Sequence, residues 1–257
     1  AVMTGCVMNE IFGDINQATI RVLQKNGCDV VVPEEQVCCA ALHCHAGIMD
    51  TARDLAKKNI AAFEQAEVDA VISNASGCGA KLKEYGMLLA DDKEFAERAA
   101  RFSQKVKDIA SFLDGLPSLA KPGEMKLRVA YDDPCHLLHA MRVSHAPRKV
   151  LRSIPGLELV ELSTPEQCCG SAGIYNITNY ELSMRILQRK VNDIKTAAPD
   201  VLATGNPGCM LQIAHGLRQA GLEQVKVMHP VELLDQAYGQ VPLSKGDSGF
   251  RNPAGVS

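Results

Sequence analysis

One cysteine pattern occurs twice in this chain, and that repetition restricts its architecture more than any other feature. Cys6, Cys38, Cys39 and Cys78 recur as Cys135, Cys168, Cys169 and Cys209, at separations of 129, 130, 130 and 131 positions. Each set contains an adjacent pair, in Glu35-Gln36-Val37-Cys38-Cys39-Ala40-Ala41 and in Glu166-Gln167-Cys168-Cys169-Gly170-Ser171-Ala172-Gly173. A period this long exceeds that of a stacked solenoid repeat and implies a duplicated domain. The expected fold class is therefore α/β: two duplicated lobes related by a pseudo-twofold axis, each a short parallel sheet with flanking helices.

Hydrophobic patterning places the cysteines on that frame. In the first lobe, residues 1–6 read as a strand ending in a Gly-Cys turn, residues 14–26 as a helix stopped by Gly27, and residues 28–32 as a second buried strand closed by Pro33. Residues 47–66 have helical spacing, residues 69–72 form the next strand, and residues 81–89 and 92–113 read as two further helices. The second lobe repeats this with strands over 126–131, 157–162, 201–203 and 225–229, and helices over 146–153, 181–197, 210–220 and 230–237. The Pro/Gly-enriched stretch 116–125 marks the boundary, giving lobes at 1–115 and 126–240 and a mobile polar tail at 241–257. Open α/β sheets place ligands at the carboxyl ends of their strands, so each set of cysteines is expected to converge at one sheet edge.

Composition narrows the chemistry. A net charge of -3 gives no basic surface for nucleic acid, and no run of about 18 apolar residues offers a transmembrane segment. With no signal-peptide pattern, a cytoplasmic protein is expected; the start at Ala1-Val2-Met3 reads as a cut within a longer chain. Ten cysteines in 257 residues are too dilute for a small disulfide scaffold, which leaves metal ligation as the better class. Ala75 and Asn206 stand three positions before Cys78 and Cys209, so the C-x-x-C spacing of zinc ribbons is missing from both lobes. An iron–sulfur cluster held by thiolates is favoured. Zinc in one lobe and redox-active thiols without metal stay open.

Adjacent cysteines in an extended chain point opposite ways, so Cys168 and Cys169 reach one group only where the backbone turns, which Gly170 and Gly173 permit. Ala40 replaces that glycine in the first lobe and is expected to tighten or distort the site, while His43, Cys44 and His45 add nearby donors. His136 and His139 are assigned packing or supporting roles, Cys28 the role of a buried hydrophobe, and Asp132 and Asp133 that of a turn or helix cap. The chain has no G-x-G-x-x-G, P-loop or G-x-S-x-G motif, so flavin or nucleotide chemistry would come from a partner.

Several motifs carry a family resemblance: Cys135 after Asp132-Asp133-Pro134, the Cys168-Cys169-Gly170 run, Asn74-Ala75-Ser76-Gly77-Cys78-Gly79 with Lys83-Glu84-Tyr85-Gly86, and His229-Pro230-Val231-Glu232-Leu233. They resemble the cysteine-rich CCG domains, found twice in the B subunit of heterodisulfide reductase and in the iron–sulfur subunits of glycolate oxidase and lactate-utilisation proteins. The likeness to the glycolate oxidase iron–sulfur subunit extends to about Tyr238. It lacks that subunit's ferredoxin-like segment and the final C-x-x-C of the heterodisulfide reductase relatives, so four ligands per lobe is the most that carries over.

The resemblance implies an oxidoreductase subunit, inactive on substrate alone, that relays electrons from a flavin subunit of a glycolate or lactate oxidase to a quinone or carrier. Its ligands would be Cys6, Cys38, Cys39 and Cys78 in one lobe and Cys135, Cys168, Cys169 and Cys209 in the other. A 4Fe–4S cluster is expected, with the second lobe the better site and attachment at the inner face of the membrane through partners. A thiol/disulfide reductase and a zinc-stabilised scaffold are the competing classes.

Overall fold

The computed structural model describes residues 1–239, and the tail expected over 241–257 lies outside them. Seven short strands within this range form two all-parallel sheets. In the first, β1 (Val2–Met3), β2 (Val71–Ser73) and β3 (Val106–Asp108) stand in that order. In the second, β4 (Arg128–Tyr131), β5 (Glu158–Val160), β6 (Val201–Ala203) and β7 (Lys226–Met228) stand in the order β5-β4-β6-β7. Register repeats with topology: Val2 pairs with Ile72 as Tyr131 pairs with Ala203, the positions that the cysteine periodicity makes equivalent. The duplicated α/β architecture with short parallel sheets and flanking helices is thus the observed one.

Two elements differ from expectation. Residues 28–32 are not a buried strand; Val31 and Val32 are 43% and 38% exposed, and the segment gives β1 one bond, Val31 O accepting from Val2 N–H at 2.9 Å. It occupies the edge place that β5 fills beside β4, but a two-residue β1 provides too little ladder to extend. The single helix expected over 92–113 is broken. Helix Ala96–Lys105 leads directly into β3, and Asp108 then starts helix Ile109–Asp114 by accepting from the N–H groups of Ala110 and Ser111.

Alternation along the strands divides the core into layers. Val2, Ile72, Val129, Tyr131, Val201 and Ala203 face inward and join one apolar cluster common to both lobes. Met3 and Val71 face the opposite way, onto Ile60, Phe63 and Phe102; Ala130 and Leu202 likewise face Leu187, Val191 and Ile213. Helix Met49–Gln65 supplies Ile60 and Phe63 and helix Tyr180–Ala197 supplies Leu187 and Val191, at spacings of three and four, while Phe102 and Ile213 come from helices Ala96–Lys105 and Pro207–Gln219. Among the described residues, no helix is long and apolar enough to cross a membrane.

The two lobes meet where equivalent loops follow β2 and β6. Ser76 N–H donates to Gly205 O at 3.0 Å. A twofold mate of that bond would need an N–H at Pro207, which proline lacks. The carbonyl left over, Asn74 O, instead receives the buried imidazole of His229 at 2.8 Å. His229 Nδ1 accepts from Val231 N–H, so Nε2 carries the proton. Burial holds this ring neutral, with its pKa lowered to about 4.

Candidate functional site: two sets of converging thiols

In each lobe the helical turn after the first strand, the adjacent-cysteine loop and the helix after β2 or β6 bring four thiols together. In the first lobe Cys6 Sγ lies 3.5 Å from Cys38 Sγ, Cys38 interacts with Cys39, and Cys39 with Cys78. The second repeats the succession Cys135, Cys168, Cys169, Cys209. Cys39, Cys169 and Cys209 are buried, whereas Cys6 is exposed. Among the described residues no three donors are disposed as for a single metal ion, while Cys135 interacts with Cys209 as well as with Cys168. Thiolate donors in this number and class fit an iron–sulfur group.

The adjacent pair turns as the chemistry needs. Gly170 has φ +91, and its N–H donates to Cys168 Sγ at 3.3 Å. A Cβ on Gly170 would stand 2.6 Å from the carbonyl oxygen of Ser183, whose hydroxyl donates to Gly170 O at 2.8 Å. Ala40 accepts the corresponding left-handed conformation at φ 67, a strained choice for a residue with a Cβ.

Buried polar residues hold the cysteine loops differently in the two lobes. In the second, Lys190 is fully buried and forms an ion pair of 2.8 Å with Asp132, three residues before Cys135. The same ammonium donates to the carbonyls of Thr164 and Pro165 at 3.2 and 3.0 Å, just before Cys168. It therefore ties both cysteine loops to one helix. Thr204 donates to Asp132 at 2.9 Å, and Arg148 clasps Asp133 with two bonds of 2.8 and 2.7 Å. In the first lobe Asn59, equivalent to Lys190 by the periodicity, accepts from Val37 N–H at 2.8 Å and donates to Cys38 O at 3.1 Å. Tyr85 adds a bond of 3.1 Å to Cys39 O. One lobe uses a buried charge pair, the other neutral groups.

Thiol acidity is governed first by the hydrogen bonds among the thiols themselves. Cys168 is pushed far down, first because Cys135 and then Cys169 donate to it, with Gly170 N–H and Lys190 acting in the same direction. Cys135, the donor to Cys168, is pushed up, and burial adds to that. In the first lobe Cys6 is raised by its bond to Cys38 and by burial, and Cys38 is raised by its bond to Cys39.

Of the other candidates, His136 touches the second set, its Nδ1 lying 3.8 Å from Cys135 Sγ. His136 is in the π-helical turn His136–Ala140, which does not align positions three apart; His139 is exposed. The His136 ring stacks on His45 of the first lobe at 5.9 Å between centroids. Cys28 is half-buried at the margin of the shared core. Asp132 and Asp133 are not turn or helix caps but partners of Lys190 and Arg148. Lys190 and Asn59 escaped the sequence reading, although each sits at an inward position of an amphipathic helix, which is a signal for a buried polar group.

Comparison with known proteins finds relatives over most of the chain. The chain is 48% identical over 242 residues to the probable glycolate oxidase iron-sulfur subunit of Bacillus subtilis, covering 93% of this chain and 54% of that one. It is 37% identical over 235 residues to the B subunit of the fumarate reductase (CoM/CoB) of Methanothermobacter marburgensis, covering 91% and 45%. With lactate utilization protein A of Oceanobacillus iheyensis the identity is 31% over 231 residues, covering 90% and 93%. The chain thus spans about half the length of the first two relatives and nearly all of the third. The family model for the cysteine-rich domain matches residues 1–83 and again 129–214, so this duplicated chain belongs to the CCG cysteine-rich domain family.

Proposed function

We propose that this chain is the cysteine-rich part of an iron–sulfur subunit in a 2-hydroxy-acid oxidising complex acting on glycolate or lactate. Cys135, Cys168, Cys169 and Cys209 would hold an iron–sulfur cluster of the 4Fe–4S type, and Cys6, Cys38, Cys39 and Cys78 a second group. The lobe boundary is taken at residues 116–125. A flavin-containing partner would oxidise the substrate, and the electrons would leave to a quinone or carrier. The chain would work at the cytoplasmic face of the membrane, held there by partners. The observation that carries this reading is the succession of four neighbouring thiols, Cys135, Cys168, Cys169 and Cys209, two of whose loops are tied together by the buried Lys190–Asp132 pair, in a chain of this family.

The group, when bound, supplies one-electron transfer. The chain's own residues supply the thiolates, exclude water around Cys169 and Cys209, and direct the N–H of Gly170 at Cys168 Sγ. Lys190 sets a positive charge beside the same site. Hydrogen bonds, burial and nearby charge are the quantities by which a protein sets the potential of such a group.

Anaerobic purification followed by iron, sulfide and zinc analysis tests the assignment. Iron and acid-labile sulfide are expected in the wild-type chain, with a loss of at least half in Cys135→Ser and in Cys169→Ser. Unchanged contents in both variants would end the second-lobe assignment, and zinc in place of iron would favour a scaffold. Robust glycolate or lactate turnover by the purified chain with an artificial acceptor, without flavoprotein, would refute the relay role. The relative named as part of a CoM/CoB fumarate reductase motivates a second reading, a thiol/disulfide reductase. That reading requires disulfide-dependent reoxidation of the reduced protein, which the relay reading does not.

A further inference from the structure

Asn206 stands at the start of helix Pro207–Gln219, where an asparagine side chain ordinarily accepts from the N–H groups two and three residues on. Here it makes no such cap. Its Oδ1 crosses to the other lobe and accepts from Gly77 N–H at 3.1 Å, one residue before Cys78. Its Nδ2 donates to Cys209 Sγ at 3.5 Å. The orientation of the amide is fixed by this pairing: a backbone N–H requires the oxygen on its side, so the NH2 group faces the sulfur. The twofold-equivalent residue, Ala75, has no group to return the contact.

We propose that Asn206 is a positioning residue that joins the two thiol sets into one redox unit, by holding a donor on Cys209 while anchored on the backbone beside Cys78. This rests on the iron–sulfur reading of the second set. A hydrogen bond to a ligand sulfur stabilises the more negative, reduced state and so raises the potential. Because the anchor is Gly77 N–H, the donor to Cys209 is held by the first lobe, and the docking of one lobe on the other tunes the site in the second. The helix gives up its side-chain cap to make this contact.

The test is a potentiometric titration of the anaerobically prepared full chain, followed by EPR, with iron and sulfide contents measured first. Wild type is compared with Asn206→Ala, which removes both contacts, and Asn206→Asp, which keeps an acceptor for Gly77 but replaces the donor with a carboxylate oxygen. Both variants are expected to retain iron and to favour the oxidised state about tenfold more, which is 59 mV downward for a one-electron couple. The shift should be larger in Asn206→Asp. A purely structural role would instead lower the melting temperature of Asn206→Ala while leaving its potential at the wild-type value; that outcome overturns the proposal. Wild-type chain without iron and sulfide would overturn the iron–sulfur reading, and this inference with it. Iron-loaded Asn206→Ala with an unshifted potential would overturn this inference alone.

Discussion

The residue after each cysteine pair shows how one backbone demand is met with different tolerance. Gly170 needs its missing Cβ twice, for φ +91 and for the 2.6 Å approach of Ser183 O, whereas Ala40 meets the same left-handed demand with the methyl in place. Gly170→Ala is expected to lower unfolding free energy by about 2–4 kcal/mol, from left-handed strain together with overpacking. Ala40→Gly relieves the strain and is expected to raise stability by about 1 kcal/mol, less the entropy glycine adds to the unfolded chain. Urea unfolding of both variants checks the opposite signs; a stabilised Gly170→Ala would refute the steric account. The cysteine pairs and the turn at Gly170 were legible in the sequence because spacing and glycine are local signals. Lys190 was not, since its role depends on Asp132, which reaches it only through the fold.

Among the secondary-structure elements, the strand the sequence concealed is β3. Phe95, Ala99, Phe102, Val106 and Ile109 run on at helical spacing, and a strand of three residues is too short to display an alternation of its own. The duplication nevertheless contained the answer. Val106–Asp108 followed by a capped helix repeats Lys226–Met228 followed by His229 and its helix, so the second lobe predicts the break in the first. The two caps differ in acidity. Asp108 is buried and its pKa is raised to about 6 from 3.8, with desolvation outweighing the N–H groups it accepts from. Between pH 4 and 6 the folded state therefore binds more protons than the unfolded one, and stability from this group is lost as pH rises through that window. An asparagine side chain at this position would cap as well without the charge, so Asp108→Asn is expected to match wild type at pH 4 and exceed it by about 2–3 kcal/mol at pH 7.5. Equal offsets at both pH values in chemical denaturation would show that Asp108 is not carrying the buried charge. His229 has the opposite sign, its lowered pKa costing stability below about pH 6, and it is common to both proteins in that comparison.

The two lobes together are organised around the layer they share. Each outer layer belongs to one lobe, but the inner cluster joins Val2, Phe12, Ile15, Val22 and Ile72 to Val129, Tyr131, Val150, Val201 and Leu233. The interface also carries charge: Asp235, almost wholly buried, receives Arg21 of the opposite lobe at 2.7 Å, and Asn26 donates to Tyr238 at 3.1 Å. A sheet stripped of one face would expose a contiguous apolar surface far larger than soluble monomers tolerate. The ion pair adds to this, because Asp235 without Arg21 is a buried carboxylate lacking its cation, a loss of about 3–5 kcal/mol. Residues 1–115 and 116–257, produced apart, are therefore expected to keep helical circular dichroism from their outer layers, bind a hydrophobic dye and unfold without a cooperative transition. Mixed, they should recover a single cooperative melt, and Asp235→Ala in the second fragment should weaken that recovery at least tenfold. Cooperative unfolding of the first fragment alone, without dye binding, would show that the lobes are independent domains and that the shared layer is a docking surface rather than a core.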